Sequence, residues 1–203
     1  MNPSLFIVVL AATYLIAAVP TGVLVTRLMG LNDVRTQGSG NIGATNVYRV
    51  AGKLPGILTL TGDILKGFLP LLAVKLWLAP TPVQLGLAGV IAIVGHCYPI
   101  YLRFRGGKGV ATAVGILLLL DPLALLGGGM AFLLVVTLTR YISLGSVLAA
   151  TIVPLLTLLL GRPLPLVLSA CAIGAMIIWR HAENLQRLCA GTENRFGAKP
   201  PAP

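Results

Sequence analysis

Between Gly95 and Thr112 the sequence sets Arg103, Arg105 and Lys108 beside Gly106, Gly107 and Gly109, with His96 near the start. Glycine lets a backbone approach a ligand closely, and the amides of such a turn can converge on phosphate where a helix begins. A second cluster, Gly38-Ser39-Gly40-Asn41-Ile42-Gly43-Ala44-Thr45-Asn46, repeats the theme with hydroxyls and amides, and Arg49 follows one turn later. Small residues in succession can show several N–H groups to one anion, Ser39 and Thr45 add hydroxyl donors, and Arg49 offers a planar fork. A flexible, solvated turn is the plain alternative. The density of donors favours anion binding by Ser39, Gly40, Asn41, Gly43, Thr45, Asn46 and Arg49. Neither cluster is a GxxxxGK[ST] loop, which disfavours nucleotide hydrolysis. In the later cluster Lys108 is the expected central phosphate contact, flanked by Gly106, Gly107 and Gly109, with the dipole of the following helix favouring the anion. Topology or lipid headgroups account equally well for Arg103 and Arg105.

A third polar region closes the apolar part of the chain: Trp179-Arg180-His181-Ala182-Glu183-Asn184-Leu185-Gln186-Arg187-Leu188, then Gly191-Thr192-Glu193. At helical spacing His181, Asn184, Leu185 and Leu188 share one face and Arg180, Glu183 and Arg187 the opposite one, with Glu183 and Arg187 placed to pair. A packed core histidine and a functional one are both open readings of His181. His96 reads as a packed or capping residue. Arg140, Ser143 and Ser146 stand at the start of an apolar run, where the serines either cap a helix or complete a site. Asp63 and Lys66 fall one turn apart inside another apolar run, and mutual neutralisation is the simplest account of them. Cys97, Cys171 and Cys189 form no CxxC pair, so neither a zinc site nor a disulfide framework is expected.

These residues must be positioned by membrane helices. The chain has 203 residues, 57% of them hydrophobic and only 10% charged, with mean hydropathy +0.94; soluble domains carry about 25% charged residues. The net charge of +10 does not indicate nucleic acid, because the cations sit in short loops between apolar runs. Crossing the hydrocarbon core takes about 20 apolar residues. That length predicts seven spans, at roughly 4–27, 54–78, 83–103, 107–120, 122–139, 142–160 and 164–180. A five- or six-span arrangement that merges or half-inserts 107–139 is the alternative. Arg27, Arg35, Arg49, Lys53, Arg103, Arg105, Lys108, Arg140, Arg180, Arg187, Arg195 and Lys199 fall on one side, 12 of the 15 basic residues. The positive-inside rule then predicts an outside N-terminus and a cytoplasmic C-terminus. The first span has no basic residue before it and is expected to be retained. A single all-α membrane domain over 1–197 and a disordered tail over 198–203 complete the expected organisation.

Three separated motifs occur in order: Ser39-Gly40-Asn41-Ile42-Gly43-Ala44-Thr45-Asn46, then Gly95-His96 through Thr112, then Arg180-His181-x-x-Asn184 with Gly191-x-Glu193. In these, and over essentially its whole length, the sequence resembles the bacterial acyl-phosphate:glycerol-3-phosphate acyltransferase family, usually called PlsY. The resemblance implies a polytopic helical enzyme of the bacterial inner membrane, active on the cytoplasmic side. It would move a fatty acyl group from acyl phosphate to the 1-hydroxyl of sn-glycerol 3-phosphate, without cofactor or metal, and with membrane lipid rather than nucleic acid as its surroundings. It places Ser39, Gly40, Asn41, Gly43 and Thr45 in a phosphate-holding loop, Arg49 and Lys108 on substrate phosphate, His181 and Asn184 at the reacting centre, and Glu193 in support. Ser39, Lys108, His181 and Asn184 are thus the expected catalytic residues, with His96, Arg140, Ser143 and Ser146 as possible helpers. Arg105 stands where lysine is common and keeps the charge. The other acyltransferase signature, HxxxxD, is absent, since Tyr101 and Gln186 stand five residues after the two histidines. A phosphate or organophosphate transporter is the competing class, but transport sites usually lie near mid-membrane, whereas these motifs gather at a boundary.

Overall fold

The computed structural model describes residues 2–197, and the expected tail over 198–203 lies outside them. Among the described residues it contains ten α-helices and no strand. They are α1 (Pro3–Ala17), α2 (Thr21–Leu28), α3 (Ala44–Ala51), α4 (Lys53–Trp77), α5 (Pro82–Cys97), α6 (Val110–Leu120), α7 (Pro122–Thr139), α8 (Ile142–Leu159), α9 (Leu164–Arg180) and α10 (Ala182–Cys189). Two compact units divide the chain, Met1–Leu120 and Asp121–Pro203.

In the first unit α4 is the axis, packing against α1, α2, α3, α5 and α6. Its contact with α6 is close because both helices present glycine there. A Cβ at Gly67 would strike the carbonyl of Thr112, and one at Gly115 the carbonyl of Ile64. Small residues let helix backbones approach where lipid supplies no hydrophobic drive between them. Pro20, which has no amide hydrogen, sits where α1 gives way to α2 at a 43° bend. The Val19 carbonyl beside that break receives the buried Lys66 ammonium (Nζ–O 2.8 Å), and Asp63 lies 2.8 Å from the same nitrogen. The Asp63–Lys66 pair expected from the sequence therefore forms, and it also satisfies the broken helix.

The second unit is built on α8, which packs against α7, α9 and α10. Asp121 starts α7 by accepting from the Ala124 amide and grips Arg162 through two hydrogen bonds of 3.1 Å each. Pro122 fills the first helical position, where a missing amide hydrogen costs nothing.

All seven expected apolar segments are helical, but they are not seven equal spans. Among the described residues four helices are long and apolar enough to cross a membrane, and the number is six if each of two bent pairs, α1 with α2 and α9 with α10 (54°), is one span. The segment expected at 107–120 is shorter than anticipated. It begins helically only at Val110 and runs 11 residues, roughly 16 Å of helix against about 30 Å of hydrocarbon. The residues before it are consumed by a tight loop.

Candidate active site

The first motif is a loop organised around one buried side chain. The Asn46 Oδ1 accepts from the Ser39 amide at 2.9 Å, and Nδ2 donates to the carbonyls of Val34, Gln37 and Asn41 at 3.2, 3.1 and 3.0 Å. Two N–H groups thus serve three carbonyls, and both of the side chain's donors are in use. Asn46 was expected to bind phosphate; its amide instead holds the loop in shape. The Asn41 side chain is similarly engaged, accepting from the Gly43 amide at 2.8 Å, and the Gly40 amide donates to Gln37. Beneath the loop Val34, Ile42 and Val47 form a small apolar core.

What the loop leaves open is the start of α3. Gly43 is the N-cap and supplies no side-chain cap, so the first-turn amides of Ala44 and Thr45 lack intrahelical partners. The hydroxyls of Ser39, which is exposed, and Thr45, which is half-buried, belong to this same loop, and Arg49 is exposed in the last turn of α3. Uncapped amides, a helix dipole and hydroxyls together suit an anion.

The second motif is wired differently from expectation. The Gly106 and Gly107 amides donate to the carbonyls of Cys97 and His96, each at 3.2 Å, folding the loop back onto the end of α5. They are therefore not the expected phosphate cradle. Their lack of side chains matters for packing: a Cβ at Gly106 would strike the His96 and Cys97 carbonyls, and one at Gly107 would enter the His96 ring. Gly109 holds a left-handed backbone, φ 84°, against Ile93 and Cys97. His96 is itself buried, with Nδ1 3.0 Å from the Thr112 hydroxyl and 3.7 Å from Asp63. The half-buried Lys108 thus follows a glycine pair seated on a fixed imidazole and leads into α6. Thr112 carried no role in the sequence reading. The available signal was that two polar groups inside apolar helices need partners.

In the second unit the hub is Glu193. Its Oε1 accepts from Ser143 Oγ at 2.8 Å and Asn184 Nδ2 at 2.6 Å, and its Oε2 from Arg187 Nε at 2.8 Å. Burial raises the Glu193 pKa, but the three donors and the Arg187 charge outweigh it and hold the carboxyl below its ordinary range. Glu183 reaches Arg187 only at 3.9 Å and from an exposed position, so Glu193 is the closer partner of that arginine. His181 sits at the 54° break between α9 and α10, buried, with Nδ1 2.8 Å from the Ile177 carbonyl. A carbonyl can only accept, so Nδ1 carries the hydrogen in that bond. Asn184 is buried one turn further on. Ser146 donates back to the Ile142 carbonyl at 2.8 Å. Arg140 is exposed, ends α7 in a left-handed conformation, and accepts at its carbonyl from the Phe196 amide. Among the described residues no cluster of His, Cys, Asp and Glu suits a metal ion.

The model of the glycerol-3-phosphate acyltransferase family matches residues 7–191. The chain belongs to that family. A glycerol-3-phosphate acyltransferase of Syntrophotalea carbinolica is 54% identical over 95% of this chain and 98% of its own length. One of Geobacter sulfurreducens is 48% identical with the same coverage. Among solved structures, the glycerol 3-phosphate form of PlsY, an integral membrane glycerol 3-phosphate acyltransferase, superposes with a TM-score of 0.88 at 39% identity, covering 95% of this chain and 96% of that one. Its lysophosphatidic acid form gives 0.87 at 38% identity, covering 95% of each. Family, fold and apolar helices together make this acyltransferase a multi-pass membrane protein.

Proposed function

We propose that this acyltransferase moves a fatty acyl group from acyl phosphate to the 1-hydroxyl of sn-glycerol 3-phosphate at the cytoplasmic side of the bacterial inner membrane. Acylation of glycerol 3-phosphate to lysophosphatidic acid follows from its family. The observation that carries the choice of donor is the open start of α3. It is a phosphate-suited helix terminus, framed by Ser39, Thr45 and Arg49 and held rigid by Asn46. A donor that itself bears phosphate gives such a site a purpose beyond holding the acceptor.

The chemistry is a direct displacement. The glycerol hydroxyl oxygen attacks the acyl carbonyl carbon, the bond from that carbon to the phosphate oxygen breaks, and inorganic phosphate leaves with the electron pair. The hydroxyl proton passes to a phosphate oxygen. Acyl phosphate is a mixed anhydride, so the leaving group needs charge stabilisation more than a strong acid, and alignment of the two reactants supplies much of the acceleration. Ser39, the α3 amides, Arg49 and Lys108 are assigned to phosphate, and His181 and Asn184 to the reacting oxygens, with Glu193 and Ser143 fixing Asn184 and the chain around it. No cofactor enters the scheme.

For the topology we retain seven crossings with an outside N-terminus, α6 serving as a short fourth crossing inside protein. The support is the distribution of basic residues. The test of function is reconstitution in liposomes with acyl phosphate and labelled glycerol 3-phosphate. Label recovered as a one-chain phospholipid is the expected result; uptake of unaltered glycerol 3-phosphate would instead establish transport.

A further inference from the structure

One cleft of the first unit is lined by none of the residues assigned to the transfer above. It has a volume of about 480 Å³ and is lined by Arg35, Tyr101, Leu102, Arg103 and Arg105. Three guanidiniums at one opening repel one another, and the Asp33 carboxylate takes Nε and Nη2 of one of them, Arg35, leaving Nη1 outside that pair. The group keeps an excess of positive charge. Arg is the cation whose planar fork fits phosphate, and Asp33 holds one fork in place.

The backbone here is unusual. Arg103 and Phe104 are consecutive non-glycine residues at φ 50° and 62°, a conformation that L side chains rarely adopt and that persists only where its surroundings enforce it. The enforcement is visible: the amides of Leu102, Arg103, Phe104 and Arg105 donate to the carbonyls of Pro99, Ile100, Pro99 and Leu102 at 2.9–3.2 Å. Around the arginines Ile100, Tyr101 and Phe104 are each half or more exposed. Exposed aromatic side chains beside cations are at home at the headgroup level of a bilayer, where ring and charge are both solvated.

We propose that this cleft binds a phosphate group, that an anionic membrane phospholipid supplies it, and that it is separate from the transfer site. The loop seats Ile100, Tyr101 and Phe104 among the upper acyl chains while Arg35, Arg103 and Arg105 share the headgroup phosphate. Soluble phosphate presents the same charge without the apolar contacts and binds more weakly.

The test titrates the full chain in detergent micelles with dioleoylphosphatidylglycerol, dioleoylphosphatidylcholine or inorganic phosphate, counting bound lipid by native mass spectrometry. Wild type is expected to prefer the anionic lipid. R103Q/R105Q should lose that preference by at least tenfold, since each cation near an anionic surface is worth about a factor of five. K53Q, which removes an exposed cation outside the cleft, should keep it. Unfolding midpoints within a degree or two of wild type and unchanged transfer rates at saturating substrates should accompany the loss. The proposal is overturned if K53Q weakens lipid binding as much, or if R103Q/R105Q binds like wild type. It is overturned as to source if inorganic phosphate displaces the lipid at equal occupancy, and as to separateness if the transfer rate falls with lipid binding. Should R103Q/R105Q misfold, R35Q alone is read the same way, at about fivefold.

Discussion

Gly107→Ala isolates the link between the buried imidazole and the lysine loop. The backbone at Gly107 lies outside the left-handed region, so alanine fits its conformation, and any cost is one of space. The new methyl would enter the His96 ring, meeting Cε1 at 3.0 Å and Cδ2 at 3.2 Å and lying closer still to Nε2. The ring cannot simply swing away, because Nδ1 is bonded to Thr112 and the residue is 3% exposed. Overpacking of this kind costs about 1–3 kcal/mol, and breaking the Thr112 bond instead costs about 1 kcal/mol. A loop displacement of about 1 Å next to Lys108 lowers the transfer rate by about two orders of magnitude. Unfolding midpoints and initial rates would be measured for Gly107→Ala, His96→Ala and the double variant. His96→Ala removes the obstacle, so the double variant should lose less than the sum of the singles, with a coupling of about 1–2 kcal/mol. Strict additivity, or a Gly107→Ala protein that works normally, would refute the proposed seating of the glycine on the histidine.

Asn46→Ala should cost about 2–4 kcal/mol by leaving buried carbonyls without a donor, and Asn46→Asp should fail to rescue it because the carboxylate cannot donate to Val34, Gln37 and Asn41; thermal unfolding with protease sensitivity of the 38–46 loop reads both. Glu193 has a folded pKa below its unfolded value, so its stabilisation is complete above the ordinary carboxylate range and is lost as pH falls through the lowered native pKa. Glu193→Gln should therefore unfold more easily than wild type near neutral pH, by about 1–3 kcal/mol, and the two midpoints should converge in acid. Lys108→Ala should fold normally and lose about two orders of magnitude in rate, roughly 3 kcal/mol of contact to phosphate, and Lys108→Arg should recover little because the wider fork needs space; near-wild-type turnover by the alanine variant would remove Lys108 from the site.

The apolar segments were legible because hydropathy reveals where membrane helices lie. Anion binding around Ser39 and Lys108 was suggested by residue type and spacing, whereas the roles given to His181 and Asn184 came with the family resemblance. What sequence could not separate was a donor aimed at a ligand from one turned inward. Asn46 and the amides of Gly106 and Gly107 have the chemistry of phosphate contacts, but the structure uses them to close loops. Composition says what a group can bond, and only tertiary packing says to whom. Thr112 shows the converse, as a hydroxyl whose meaning depends on a histidine 16 residues away. The short α6 follows from the same source, because the loop folded onto His96 consumes residues that hydropathy alone would add to a helix.

The most direct measurement gives the purified protein glycerol 3-phosphate with each of three donors separately: acyl phosphate, acyl-CoA and acyl carrier protein. Lysophosphatidic acid and inorganic phosphate should appear in equal amounts from acyl phosphate alone, with no product from the thioesters. Equal product from acyl-CoA in the absence of acyl phosphate would contradict it.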